Sequence, residues 1–163
     1  MKKLMAICFF LSFVGASQVA AQSYDNAVGL RLGWGFGGSF KHFLNETSAV
    51  EGILNYRSFG TLGINYNYLQ ITGLYQKHGP LDEVLTGLQW YFGGGGFIGF
   101  YGGSYNGLID GGGTTIGIAG NVGLDYAFDD IPLNISVDWV PSISINGGGF
   151  LSGLGGVAVR YIF

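Results

Sequence analysis

From residue 27 onward, large apolar residues alternate with small or polar ones at a period of two, the spacing of a strand with two unlike faces rather than of a helix. In Ala27-Val28-Gly29-Leu30-Arg31-Leu32-Gly33-Trp34 the even positions are large and apolar, and the odd ones are Ala, Gly, Arg and Gly. Residues 49–57 set Val50, Leu54 and Tyr56 against Glu51, Asn55 and Arg57. Leu88, Trp90 and Phe92 oppose Gln89, Tyr91 and Gly93, a phase that runs on to Ile98 and Phe100. Ile116, Ile118, Val122, Leu124 and Tyr126 oppose Gly117, Ala119, Asn121, Gly123 and Asp125. Leu133, Ile135, Val137 and Trp139 face away from Asn134, Ser136 and Asp138, and Val157, Val159, Tyr161 and Phe163 from Ala158 and Arg160. Two stretches are less regular. Residues 36–44 mix their parity, and Lys41 is placed inward because an outward Lys costs more. In 64–76, Tyr66 and Tyr68 share one parity while Leu69, Ile71 and Tyr75 take the other, which predicts a β-bulge near Tyr68–Leu69, since one extra residue exchanges the faces.

Eight strands follow, with connections of two kinds. Residues 45–48, 77–84 and 129–132 form the turns at the end that holds the termini. Residues 35–38, 59–63, 102–113 and 146–152 form the opposite set, which is richer in Gly. No boundary or linker divides residues 22–163.

Alternation alone does not say which solvent surrounds such a sheet; composition does. Only 10% of the 163 residues are charged, against roughly 25% in soluble domains. Gly accounts for 32 residues and aromatics for 16%. The polar parity, mostly Gly, Ala, Ser and Asn, is too thin to cover a soluble surface. The mid-strand charges Arg31, Glu51, Arg57, Asp125, Asp138 and Arg160 all share that parity. On a lipid face a base near the midplane would cost about 2–4 kcal/mol; turned inward, three bases and three acids can pair. Aromatics gather near strand ends (Trp34 and Phe36, Trp90 to Phe92, Trp139, Tyr161 and Phe163), as in the girdles of membrane barrels. The expected fold is all-β: an eight-stranded antiparallel up-and-down transmembrane β-barrel, apolar outside and polar within.

Residues 1–21 read as a cleavable signal peptide preceding that barrel, with Lys2 and Lys3, the apolar run 4–14 and the small-residue site Val19-Ala20-Ala21. The single cysteine, Cys8, lies inside the apolar run, so residues 22–163 contain none. With Lys2 and Lys3 gone, the seven basic residues become five against ten acidic ones. That balance excludes nucleic acid as a partner.

The C-terminus Val157-Ala158-Val159-Arg160-Tyr161-Ile162-Phe163 resembles the closing strand read by the outer-membrane assembly machinery, which ends in Phe with Tyr two places earlier. With the signal peptide, the eight strands and the length, residues 22–163 look like the small OmpA/OmpX-like family of eight-stranded barrels. The segments Leu74-Tyr75-Gln76-Lys77-His78 and Gly87-Leu88-Gln89-Trp90-Tyr91 are similar to a subgroup known only as outer membrane β-barrel proteins. The resemblance implies the cell outer membrane as location, its lipid and that machinery as partners, Tyr161 and Phe163 as the assembly signal, and a monomer. The short connections, 102–113 apart, argue against the protruding sheet of OmpX-like members.

Candidate chemistry is sparse. Gly33-x-Gly35-x-x-Gly38 matches a dinucleotide pattern but no helix follows it, and Gly94, Gly96 and Gly99 match by abundance. A catalytic Ser needs a base within reach. His42 and His78 fall at the end with the termini, as interfacial turn residues, and Ser104 and Ser152 at the other. No catalytic, cofactor or metal residues are assigned. Arg31, Glu51, Asp125, Asp138 and Arg160 are expected to form an ion-pair network filling the lumen. The functional expectation is a non-enzymatic barrel with a structural, envelope-integrity role. The alternatives are a narrow pore, for which inward glycines would leave space, and a surface interaction protein acting through 102–113.

Overall fold

The structure, a computed structural model, describes residues 24–61, 64–105, 109–147, 149–151 and 155–163; the signal peptide expected over 1–21 lies outside them. The strands are β1 (Asn26–Gly33), β2 (Phe36–Asn45), β3 (Ser48–Thr61), β4 (Ile64–Pro80), β5 (Leu88–Tyr105), β6 (Ile109–Ala127), β7 (Leu133–Trp139), β8 (Ser142–Ser144), β9 (Phe150–Leu151) and β10 (Gly156–Ile162). Each pairs antiparallel with its neighbours, and the sheet closes on itself, with β1 against β10 and β5 against β6. Strands β7 and β8 both pair with β6, so they are two parts of one stave interrupted at Val140 and Pro141. Pro has no N–H for a ladder, but its carbonyl still accepts from Gly120 N at 2.9 Å. Strands β9 and β10 make up the last stave, against β8 and β7 respectively. Among the described residues the result is an all-β, closed, eight-stave antiparallel barrel.

The outward face is apolar. Leu30 and Leu32 are each 61% exposed and Ile118 58%, a surface that suits lipid and not water. The inward face alternates with it, with a register shift at the end of β2 between Phe43 and Asn45. In β4 the register runs continuously from Ser48↔Lys77 to Thr61↔Ile64, so the bulge expected near Tyr68–Leu69 is absent. Tyr68 and Leu74 simply point inward, one to bond Gln70 and the other into an apolar cluster. An inward aromatic or aliphatic is acceptable where the lumen itself has apolar layers.

Inward glycines are where the staves come closest. A Cβ on Gly29 would fall on the Val159 carbonyl oxygen, and one on Gly93 on the Tyr75 carbonyl oxygen. By contrast, outward Gly52 and Gly73 have nothing within 4 Å of a Cβ. The inward glycines therefore let backbones approach; they do not hold open space.

On one side the barrel continues past its rim. The β1–β2 pairing ends at Leu32↔Phe36, with Tyr56 opposite Phe36. Strands β3 and β4 remain paired to Thr61↔Ile64, β4 and β5 to Ile64↔Tyr105, and β5 and β6 to Tyr105↔Ile109. Residues 57–61 thus carry β3 on by about 17 Å at ~3.3 Å per residue. The connections expected at 59–63 and 102–113 are mostly strand, and the short-loop argument against a protruding sheet fails. The hairpins supply their own ladder above the rim, so length of loop was the wrong measure.

Candidate functional site: a buried charge network

Six charged side chains meet inside the barrel. Arg31 comes from β1, Lys41 from β2, Glu51 from β3, Asp125 from β6, Asp138 from β7 and Arg160 from β10, and none is more than 8% exposed. Arg31 grips Asp138 with both terminal guanidinium nitrogens, Nη1 lying 2.9 Å from Oδ2. Arg160 pairs with Glu51 and donates to Ser39 (2.7 Å), Ser136 (2.7 Å) and Asn134 (3.0 Å). Lys41 Nζ lies 2.7 Å from Asp125 and 3.9 Å from Glu51, and 4.3 Å from the centre of the Tyr91 ring.

Neutral donors complete the acids. Gln76 donates to Glu51 at 2.6 Å, Tyr91 to Asp138 at 2.8 Å, and Tyr24 and Asn134 to Asp125, the first at 3.1 Å. Full pairing is what such burial demands, because an isolated ion in a low-dielectric interior is prohibitively costly. Burial, then the neighbouring Asp125 carboxylate, raises the Tyr24 hydroxyl well above its ordinary value, which keeps it a donor.

The network lies between two apolar layers. Successive inward residues of β3 are Ala49, Glu51 and Ile53; Ala49 belongs to a cluster with Tyr24, Ala27, Phe43 and Ala127, and Ile53 to one with Leu74, Phe97, Ala119 and Val140. Trp34 packs on the second cluster, edge-on to Tyr68 at 5.2 Å. It caps the lumen there and is not part of the outer girdle expected of it. Lys41, Gln70, Gln76, Asn134 and Arg160 have 0% accessible surface, so the lumen is filled. Among the described residues the buried amide of Asn121 finds no partner for its nitrogen or oxygen.

The structure brings together all five residues expected in the network and adds Lys41. It does not include Arg57, which shares their parity but stands above the rim, 5.2 Å over the Trp34 ring. His78 is no interfacial turn residue: it is 4% exposed, between Phe43 (4.7 Å) and Tyr91 (5.0 Å), with Nδ1 3.0 Å from Gln89 Oε1. Strand β4 continues to Pro80, which carries His78 inside the barrel end. His42, on β2, contacts Asn26 at 2.9 Å. Ser39, Gln76, Tyr91, Asn134 and Ser136 were missed as partners, although each sits on the inward parity. Tyr24, ahead of the first strand, carried no signal. Among the described residues no histidine bonds a serine, and no three of His, Cys, Asp or Glu converge on a metal position.

No protein-family model and no curated protein matches the chain. Solved structures do. Over 85% of this chain and 93% of that one, it superposes on Ail, the attachment invasion locus protein of Yersinia pestis, at a TM-score of 0.58 and 15% identity. The N-terminal β-barrel domain of Pseudomonas aeruginosa OprF matches at 0.59 and 18%, over 87% of this chain and all 100% of the other. The chain has the fold of the small outer-membrane β-barrels. Neisserial surface protein A is a third such barrel, at a TM-score of 0.58 and 14% identity, over 85% of this chain and 94% of that one. At identities of 14–18% each of these likenesses is one of fold.

Proposed function

We propose that the chain is a non-enzymatic protein of the bacterial outer membrane whose closed barrel serves the integrity of the envelope and does not conduct. The observation that carries this reading is the fully paired, fully buried network of three bases and three acids between two apolar layers. A path for ions would require breaking at least one buried pair, each worth about 3–5 kcal/mol when one partner is left behind. The inward glycines, the feature that favoured a pore, are filled by neighbouring backbone. In planar bilayers the purified protein is expected to give no unit conductance. Reproducible unit currents that change in Arg31→Gln or Asp138→Asn would overturn the reading.

A second reading, a surface interaction protein, is favoured by the paired extension of β3 to β6 above the rim. The two are compatible, since a closed barrel is a firm base for a displayed sheet. The proposed partner in biogenesis is the outer-membrane assembly machinery, acting on the C-terminal strand, where Tyr161 and Phe163 stack at 6.3 Å.

A further inference from the structure

Above the rim the two faces of the sheet exchange character. Below it, the outer face is apolar and the inner one polar. In the extension of β3 to β6, the outer face carries Ser58, Asn65, Asn67 and Ser104, with the Tyr56 hydroxyl donating to Asn67 at 3.2 Å. The inner face carries Arg57, Phe59, Tyr66, Tyr68 and Tyr101, which the register Arg57↔Tyr68↔Tyr101 and Phe59↔Tyr66 puts on one side. Phe59 is 54% exposed, Tyr101 44% and Tyr66 39%. Tyr68 is 4% exposed and packs beneath them against Trp34, so the exposed rings stand above the packed layers of the lumen, and aromatic surface of that kind marks a binding face.

We propose that this inner face is a shelf for an acidic polysaccharide chain reaching the protein from outside the cell. Its shape is the first argument. The exposed Tyr66 ring is held nearly parallel to the buried Tyr68, 8° apart with centroids at 6.4 Å, which fixes the plane it presents. Tyr101 lies flat over Gly113, where a Cβ would meet its ring at 2.7 Å. Rings resting on glycine make an open, level surface rather than a pocket. A row of pyranose rings matches such a surface, laying apolar C–H faces on the aromatics while its hydroxyls meet the Tyr oxygens. Charge is the second argument. Among the described residues Arg57 is the only Lys or Arg on this side: Arg31, Lys41 and Arg160 are buried, and Lys77 bonds Ser48 at the opposite end. Arg57 rests over Trp34 and pairs with no carboxylate among the described residues, leaving its fork for a uronate, sulfate or phosphate group. Orientation is the third. Glycolipids of the same leaflet would meet the polar outer face, whereas the aromatic face looks over the barrel mouth, and only a chain from outside reaches it.

The test uses the full barrel in nanodiscs, with polygalacturonate oligomers as the carboxylated pyranose probe and dextran as the uncharged control. Polygalacturonate is expected to bind and to change the fluorescence of Trp34, with dextran weaker. Tyr66→Ala and Tyr101→Ala are each expected to weaken binding about tenfold. Arg57→Gln is expected to weaken it and flatten its salt dependence. Heat-dependent gel mobility establishes that each variant retains the barrel, and Tyr66→Ser with Tyr101→Ser serves if an alanine variant does not fold. Absence of binding overturns the proposal. So does binding that is indifferent to the tyrosines, or a shelf that takes peptides in place of the oligomers. None of these outcomes touches the closed-barrel reading, which stands or falls on conductance.

Discussion

Replacing Arg160 with Met isolates the energetics of the lumen. The substitution keeps most of the side-chain volume but removes the partner of Glu51 and four donated hydrogen bonds, to Glu51, Ser39, Asn134 and Ser136. Glu51 then keeps only Gln76 at 2.6 Å and Lys41 at 3.9 Å, and Lys41 is already engaged by Asp125 at 2.7 Å. Stranding one member of a buried pair costs about 3–5 kcal/mol, a large share of a typical net stability of roughly 5–15 kcal/mol. In Arg160→Met with Glu51→Met the stranded charge is gone, while Lys41 and Asp125 still pair. Replacing a whole buried pair by apolar residues is often neutral or stabilising, by ~1–4 kcal/mol. The double variant is therefore expected to recover at least half of the loss. Urea unfolding in lipid vesicles, followed by tryptophan fluorescence, measures both, and gel mobility with and without heating reports closure of the barrel. A single variant costing less than about 1 kcal/mol, or a double variant no better than the sum of its singles, would refute the reasoning: the network would then be worth no more than an exposed pair.

Three further outcomes follow from the same geometry. Gly93→Val drives a side chain into the Tyr75 carbonyl and is expected to abolish the heat-modifiable folded form, whereas Gly52→Val, outward and unopposed, keeps it; equal behaviour of the two on gels would contradict the close approach of the staves. The Tyr24 hydroxyl, raised well above 10.0 when folded, contributes stability that is complete below about pH 10 and is lost as pH climbs toward the folded value, so wild type and Tyr24→Phe should converge in urea midpoint only at strongly alkaline pH. Deleting Phe163, an outward terminal residue 60% exposed, is expected to lower the amount of assembled barrel in cells far more than it lowers the unfolding free energy of the assembled fraction, which loses only its two backbone hydrogen bonds with Asn26, about 1–3 kcal/mol.

The faces of the barrel were legible because lipid and a narrow lumen both select strongly at every second residue. Val28, Leu30 and Leu32 against Gly29 and Arg31 is such a case, and the observed exposures follow it. The bulge anticipated at Tyr68–Leu69 shows where the logic overreached. It assumed that Tyr66 and Tyr68 face out with Leu69, Ile71 and Tyr75, yet Tyr68 bonds Gln70 inside and Leu74 belongs to an inner apolar layer. Layers along the axis arise from packing among residues far apart in sequence, such as Ile53 with Val140, and a single strand carries no record of them. Tyr24 was illegible for the same reason, since its role depends on Asp125, 101 residues away.

Arg31 and Arg57 put the remaining limit most sharply. Both sit on the inward parity, and from the alternation alone they are equivalent. Arg31 is 2% exposed and clamped on Asp138, while Arg57 stands in the open above Trp34. What separates them is height along the stave relative to the rim, and parity has no height. A clue was nevertheless present in the residue types. Outward positions in β3 and β4 change from Leu54 and Ile71 to Ser58, Asn67 and Asn65 as the strands rise, just where the inward set turns to Phe59, Tyr66 and Tyr68. An exchange of polarity between faces at constant period marks the level where lipid gives way to water. The charges below that level must find partners within the barrel, and a cation above it is free to meet one from outside.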